Sequence, residues 1–190
     1  MGAKGEETRT RLVQATRLLI EAQGYYGTGL NQVLAASGAP RGSLYFHFPE
    51  GKDEMVALAL AEAGRDVTDL IAGMTGGDLT PAEVVRGLLD VFGDRMSDSG
   101  YAKGCPLATV ALETAAGHEL LRRVCADAYD AWQTSLARML VRHGRDAAAA
   151  ESLAGALLAL VEGALLLARV RHSRVPLDQA ARAAEALLTA

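Results

Sequence analysis

The sequence predicts an all-helical protein, and three observations carry that prediction. Half of its 190 residues are hydrophobic but only 5% are aromatic, and alanine and leucine lead the apolar set, a composition that favours helices over a β-sandwich. Apolar residues return every three or four positions through most of the chain, the period of helices with one buried face. Glycine and proline punctuate that pattern so as to leave about nine helical segments, with no alternating strand signal and no internal repeat.

The first segment, Glu6 to Gln23, has Leu12, Ala15, Thr16, Leu19, Ile20 and Ala22 on one stripe, and Gly24 supplies its stop. Thr28 is the expected N-cap of a second helix over Gly29 to Ala36, with Leu30, Val33 and Leu34 inward and Gly38 ending it. Pro40 has φ preset for a first helical turn, so a third helix is expected from Pro40 to His47. Two short helices joined by a few residues that include glycine make a helix-turn-helix. Longer helices follow: Asp53 to Met74, one begun by Thr80-Pro81-Ala82-Glu83 with Val85, Leu88, Phe92 and Met96 on one face, and Cys105 to Ala116. The last three are expected over His118 to His143, Ala147 to His172 and Leu177 to Leu188. The organisation expected is a DNA-binding part over residues 1–51 and a larger helical part over 52–190.

Charge agrees with that division. Residues 1–52 carry six Lys/Arg against four Asp/Glu, whereas 53–190 carry thirteen against nineteen. An acidic chain with a mildly basic first quarter binds a polyanion only locally. Cys105 and Cys125 lack disulfide-framework or Cys-x-x-Cys spacing and read as reduced, packed thiols. The opening MGAKGEETRTRL has no apolar signal-peptide core. The stretch from Ser152 to Ala168 is seventeen residues long, contains Glu162 and falls short of a membrane span. A cytoplasmic protein with no membrane partner is expected.

The segment SGAPRGSLYFHFPEGKDEM, residues 37–55, is dense in hydrogen-bonding side chains. In a helix-turn-helix the second helix enters the major groove. Leu44 points away from Arg41, Ser43 and Tyr45, and Phe48 lies one turn beyond it, so Leu44 and Phe48 anchor while the polar set faces DNA. Arg41 suits a bidentate contact to guanine, and Gly42 lets the backbone approach the groove. Ser43, Tyr45, His47 and Lys52 suit phosphate oxygens, and Thr28 can add its hydroxyl or a neighbouring N–H.

The run GTGLNQVLAASGAPRGSLYFHFPEGKDEM resembles the N-terminal signature of TetR-family transcriptional regulators. Its Gly38-to-Tyr45 and Phe48-to-Lys52 motifs, with Gly104-Cys105-Pro106 and Glu113 further on, are similar to the LmrA/YxaF-like branch. Pro40 where the wider family has Ser, and the extra Gly51, suit that branch; Phe46 stands where many relatives have a polar residue. The resemblance implies a homodimeric repressor on a palindromic double-stranded operator, released by a small hydrophobic effector. It also implies pairing through the last two helices. There, Gly155, Ala159 and Gly163 at four-residue spacing beside Leu153, Leu157 and Leu160 offer a close-packing row. Phe92, Met96, Tyr101, Cys105, Glu113, Trp132 and Met139 can line the effector cavity the resemblance implies. An activator, an effector-independent regulator, or a ligand-binding bundle or enzyme are the alternatives. No catalytic motif, cofactor loop or metal-ligand spacing is present, and His118, His143 and His172 are scattered.

Overall fold

A computed structural model describes residues 3–189. Met1 and Gly2, part of the segment read for a signal peptide, and Ala190 lie outside the described residues. Among the described residues there are nine helices and no strand. In chain order they are α1 (Ala3–Gly27), α2 (Leu30–Ser37), α3 (Arg41–His47), α4 (Lys52–Thr75), α5 (Pro81–Asp98), α6 (Pro106–Thr114), α7 (Glu119–Arg142), α8 (Ala147–Arg171) and α9 (Val175–Thr189). The chain forms two compact units, residues 1–64 with 106–127, and residues 65–105 with 128–190, the division falling inside α4 and α7.

In the first unit α1 packs against α2, α3 and α6. Leu12, Val13, Ala15 and Ile20 are buried on its inner stripe, and the buried Thr16 hydroxyl donates to the Leu12 carbonyl at 2.8 Å, so no polar group is left orphaned there. The stop expected at Gly24 is a break rather than an end. Gly24 takes φ 74, a side-chain-forbidding conformation, and Tyr25 to Gly27 add one more turn beyond it. A Cβ at Gly24 would also collide with the carboxylate of Glu113.

That break corrects the expectation for Thr28. Its side chain does not cap α2: it is buried, and its hydroxyl donates back to the Gly24 carbonyl at 2.7 Å. Gly29 is the N-cap of α2, and its N–H donates to Gln32 Oε1 at 2.8 Å. Gly38, at φ 62, ends α2 with its N–H on the Leu34 carbonyl at 3.1 Å. Arg11 Nη1 donates to the Ser37 carbonyl at 3.2 Å, putting a cation on the last turn of α2 where the helix dipole favours it. Pro40 stands just outside α3 as its N-cap, one position earlier in the motif than expected.

The second unit is held by α5, α8 and α9 packed on one another. α5 begins with the expected capping box: Glu83 N–H donates to Thr80 Oγ1 at 3.3 Å and Thr80 N–H to Glu83 Oε2 at 2.8 Å. Val85, Leu88, Phe92 and Met96 are buried as expected. Arg174, just before α9, donates to Asp94 and to Asp90 of α5. α8 has nearly the bounds expected, but the expectation that its apolar stretch falls short of a membrane span needs correction: over 25 residues the helix is long and apolar enough to cross a bilayer, by length and composition. Only a third of that apolar window is buried in the chain, so α8 carries a broad uncovered apolar face.

Candidate nucleic-acid interface

α3 is seven residues long and sorts its side chains by face. Leu44 is 1% and Phe48 0% exposed, and the Phe48 N–H closes the helix on the Leu44 carbonyl at 2.8 Å. Burying two such side chains contributes about 1.5–3 kcal/mol each. On the outer side Arg41 and Gly42 are exposed, Tyr45 is 60% and Phe46 73% exposed, and Ser43 and His47 are half-buried. Phe46 and His47 meet edge to face at 5.0 Å, and the His47 Nδ1 atom is buried without a hydrogen-bond partner. A shallow cleft of about 420 Å³ runs between the start of α2 and α3, with Gly29, Asn31, Gln32, Arg41 and Tyr45 among its lining residues. Leu44 and Phe48 are the anchors the sequence predicted and Tyr45 faces outward, but two expectations need correction. Arg41, three residues from Leu44, lies only about 60° from it around the axis rather than opposite, though it is exposed, and the Thr28 hydroxyl is internal.

Lys52, at the start of α4, is fixed by a network the sequence did not reveal. Its Nζ lies 4.0 Å over the Tyr25 ring, a cation–π contact. Burial lowers its pKa, partly opposed by Asp53 and Glu113. The Tyr25 hydroxyl donates to Asp53 Oδ1 at 2.5 Å, and Asp53 Oδ2 lies 3.3 Å from His118 Nδ1. Burial first, then the Asp53 carboxylate, pushes the Tyr25 pKa well above its ordinary value. Glu113, expected among the effector-lining residues, belongs to this unit, where it accepts the Tyr26 N–H at 3.0 Å. Cys125 is packed here too: its thiol donates to the Leu107 carbonyl at 3.8 Å, and burial pushes its pKa up to about 11.

In the second unit Phe92, Met96, Cys105, Trp132 and Met139 are buried. Tyr101 takes φ 63 and stacks on the His172 ring at 5.6 Å. Glu162 is the polar group sequence reasoning left without a role. Cys105 and Tyr129 hydrogen-bond its carboxyl, Tyr129 packs edge-on against Trp132 at 5.2 Å, and the buried Oε2 has no partner. Burial raises the Glu162 pKa above its ordinary 4.5, and those two hydrogen bonds oppose the shift. The unfolded chain thus ionises at lower pH than the fold, so stability falls as pH rises between the two values. Glu162→Gln, which never ionises, should melt above the native chain at about pH 8, the gap closing towards about pH 4. Identical melting at both pH values would contradict that account.

Of the expected pairing residues, Leu157 is wholly buried within the subunit and cannot meet a second copy, a correction that follows from its facing inward from α8. Leu153 and Gly155 are half-buried, and Gly155 lies against Gln133. Ala159, Leu160 and Gly163 do share a surface: they line an open apolar groove of about 360 Å³ between α8 and α9, with Leu167, Pro176 and Ala183. Leu166, Val170 and Val175, 55%, 73% and 52% exposed, extend this apolar surface, and the small-residue row alone did not signal them.

Residues 12–59 match the model for the N-terminal domain of bacterial regulatory proteins of the TetR family. Residues 81–183 match that for the C-terminal domain of LmrA/YxaF-like transcriptional regulators. The chain is 33% identical over 171 residues to the HTH-type transcriptional regulator LmrA of Bacillus subtilis, covering 90% of this chain and 91% of that one. The chain belongs to the TetR family. It is 32% identical to the regulator YxaF of the same organism, over 93% of this chain and 92% of that one. A TetR regulatory protein from Rhodobacter sphaeroides shares its fold with a TM-score of 0.83 at 22% identity, covering 92% and 95% of the two chains. A TetR regulator from Chloroflexus aurantiacus gives 0.78 at 28% identity, over 99% and 96%. As a TetR-family member the protein is a DNA-binding transcriptional regulator, and its relatives are regulators rather than enzymes. TetR-family regulators act as dimers.

Proposed function

We propose that the protein is a repressor that binds a palindromic operator as a homodimer and leaves it when a small hydrophobic effector binds. The observation that carries this reading is the two-sided character of α3, with Leu44 and Phe48 sealed and Arg41, Tyr45 and Phe46 turned outward. Arg41 takes guanine O6 and N7, and Ser43, Tyr45, His47 and Lys52 take phosphates. Residues 1–51, with Lys52 at the start of α4, make these contacts, while the rest of the chain pairs and holds the effector. A second copy, rather than lipid, covers the α8–α9 groove, which spaces two α3 helices about one DNA turn apart, roughly 34–36 Å. Phe92, Met96, Tyr101, Cys105, Trp132 and Met139 surround the effector, with the unpartnered Glu162 oxygen available to a donor group on it. Effector binding favours a subunit arrangement that no longer fits the operator, a coupling typically worth about 1–3 kcal/mol. The site of action is the cytoplasm, where the DNA is.

The test is a titration of the purified protein against a duplex selected from a randomised pool, at two salt concentrations, with light scattering to count subunits. Tight dimeric binding that weakens steeply with salt and collapses when one half-site is scrambled is expected. Affinity equal to that for random DNA, or a monomer on the duplex, would sink the reading. Small apolar compounds are then screened for those that release the duplex, and a protein released by none of them is not effector-controlled in this way.

A further inference from the structure

We infer that Phe46 reads thymine: its ring meets the C5-methyl of a thymine in each operator half-site and makes that position selective for T. This rests on the reading of α3 as the groove-entering helix. At about 100° per residue, Phe46 lies about 200° and Gly42 about 160° around the axis from the buried Leu44. Phe46 is therefore at the outward pole of α3, more directly opposed to the core than Arg41 or Tyr45. It is 73% exposed, and its only ring neighbour among the described residues is the edge of His47 at 5.0 Å.

A phenyl ring has no donor or acceptor, so it cannot pair with the polar edges of guanine, cytosine or adenine. The apolar group on a base edge in the major groove is the thymine methyl. Gly42, one turn before Phe46 on the same pole, has no side chain, and the space a Cβ there would enter is open, so nothing at that position crowds the Phe46 ring. The ring that would otherwise stand in water then loses apolar surface on binding, and only where a methyl is present to cover it.

The experiment uses the full chain and a duplex it has selected from a randomised pool, with each thymine replaced in turn by deoxyuridine, which removes the methyl and keeps the pairing. Fluorescence anisotropy should show about a fourfold loss at one thymine per half-site, and roughly fifteenfold when both are replaced, the value of one methyl taken out of water at each site. Phe46→Ala should bind the thymine and uracil duplexes equally, and Phe46→Leu should retain part of the preference. Phe46 is exposed, so neither variant disturbs the core. Uracil tolerated at every position, or a methyl preference that survives Phe46→Ala, overturns the inference. So does a Phe46→Ala loss that ignores the methyl, which would make the ring a backbone contact or a wedge between base steps. Failure to select any duplex would instead overturn the recognition-helix reading, and that result appears before a uracil is introduced.

Discussion

Phe48→Ala is expected to lower the unfolding free energy by about 3–5 kcal/mol, a large share of the 5–15 kcal/mol typical of a folded domain. The ring is wholly buried, follows α3 directly and receives the Arg9 guanidinium over its face at 5.5 Å. Removing it leaves a cavity between α3 and its support that a seven-residue helix, too short to persist alone, cannot close by itself. Tyr45→Ala, about one helical turn before Phe48 on the exposed side of α3, should change stability by less than about 0.5 kcal/mol. Urea denaturation of the two variants separates them. A Phe48→Ala loss below about 1 kcal/mol would mean that α3 is held by something other than its apolar underside.

Arg41→Ala should leave stability unchanged and weaken operator binding by about 1–3 kcal/mol per half-site, hence about 2–6 kcal/mol for a symmetric dimer. The loss falls on the cognate duplex, so preference for the guanine position relaxes while affinity for random DNA barely moves. Lys52→Ala provides the contrast. Its ammonium is a point charge held over Tyr25 beside Asp53, suited to a phosphate and not to a base edge. It should weaken all sequences alike and flatten the salt dependence by about one charge per subunit. Equal losses on cognate and random DNA for Arg41→Ala would remove it from base reading.

The helical order was legible because its signals are local: the Thr80 box, the glycine breaks and the period of the apolar stripes each act within a turn or two. The anchoring of α3 by Leu44 and Phe48 was legible for the same reason. Thr28 was misread because Gly24 does not end α1; the extra turn brings the Thr28 hydroxyl back over the Gly24 carbonyl, which only the backbone path reveals. Lys52 was identified, but the residues that position it were not, since Tyr25, Asp53 and His118 meet across separations of 28 and 65 residues. On α8 apolar residues occur all round the helix, so spacing alone could not say that Leu157 faces inward while Leu166 and Val170 face out. Glu162 stood out as a lone charge, yet its unpartnered oxygen and its ties to Cys105 and Tyr129 exist only once α7, α8 and the segment before α6 converge.

The central claim is that two copies of α3, each propped by Leu44 and Phe48, occupy successive major grooves on one face of the operator. A hydroxyl-radical footprint of the wild-type protein on its selected duplex measures this directly. Two protected patches on the same face, related by two-fold symmetry and separated by about one helical turn of 10 base pairs, are predicted. A single unsymmetrical patch, or protection spread evenly along the duplex, would contradict it.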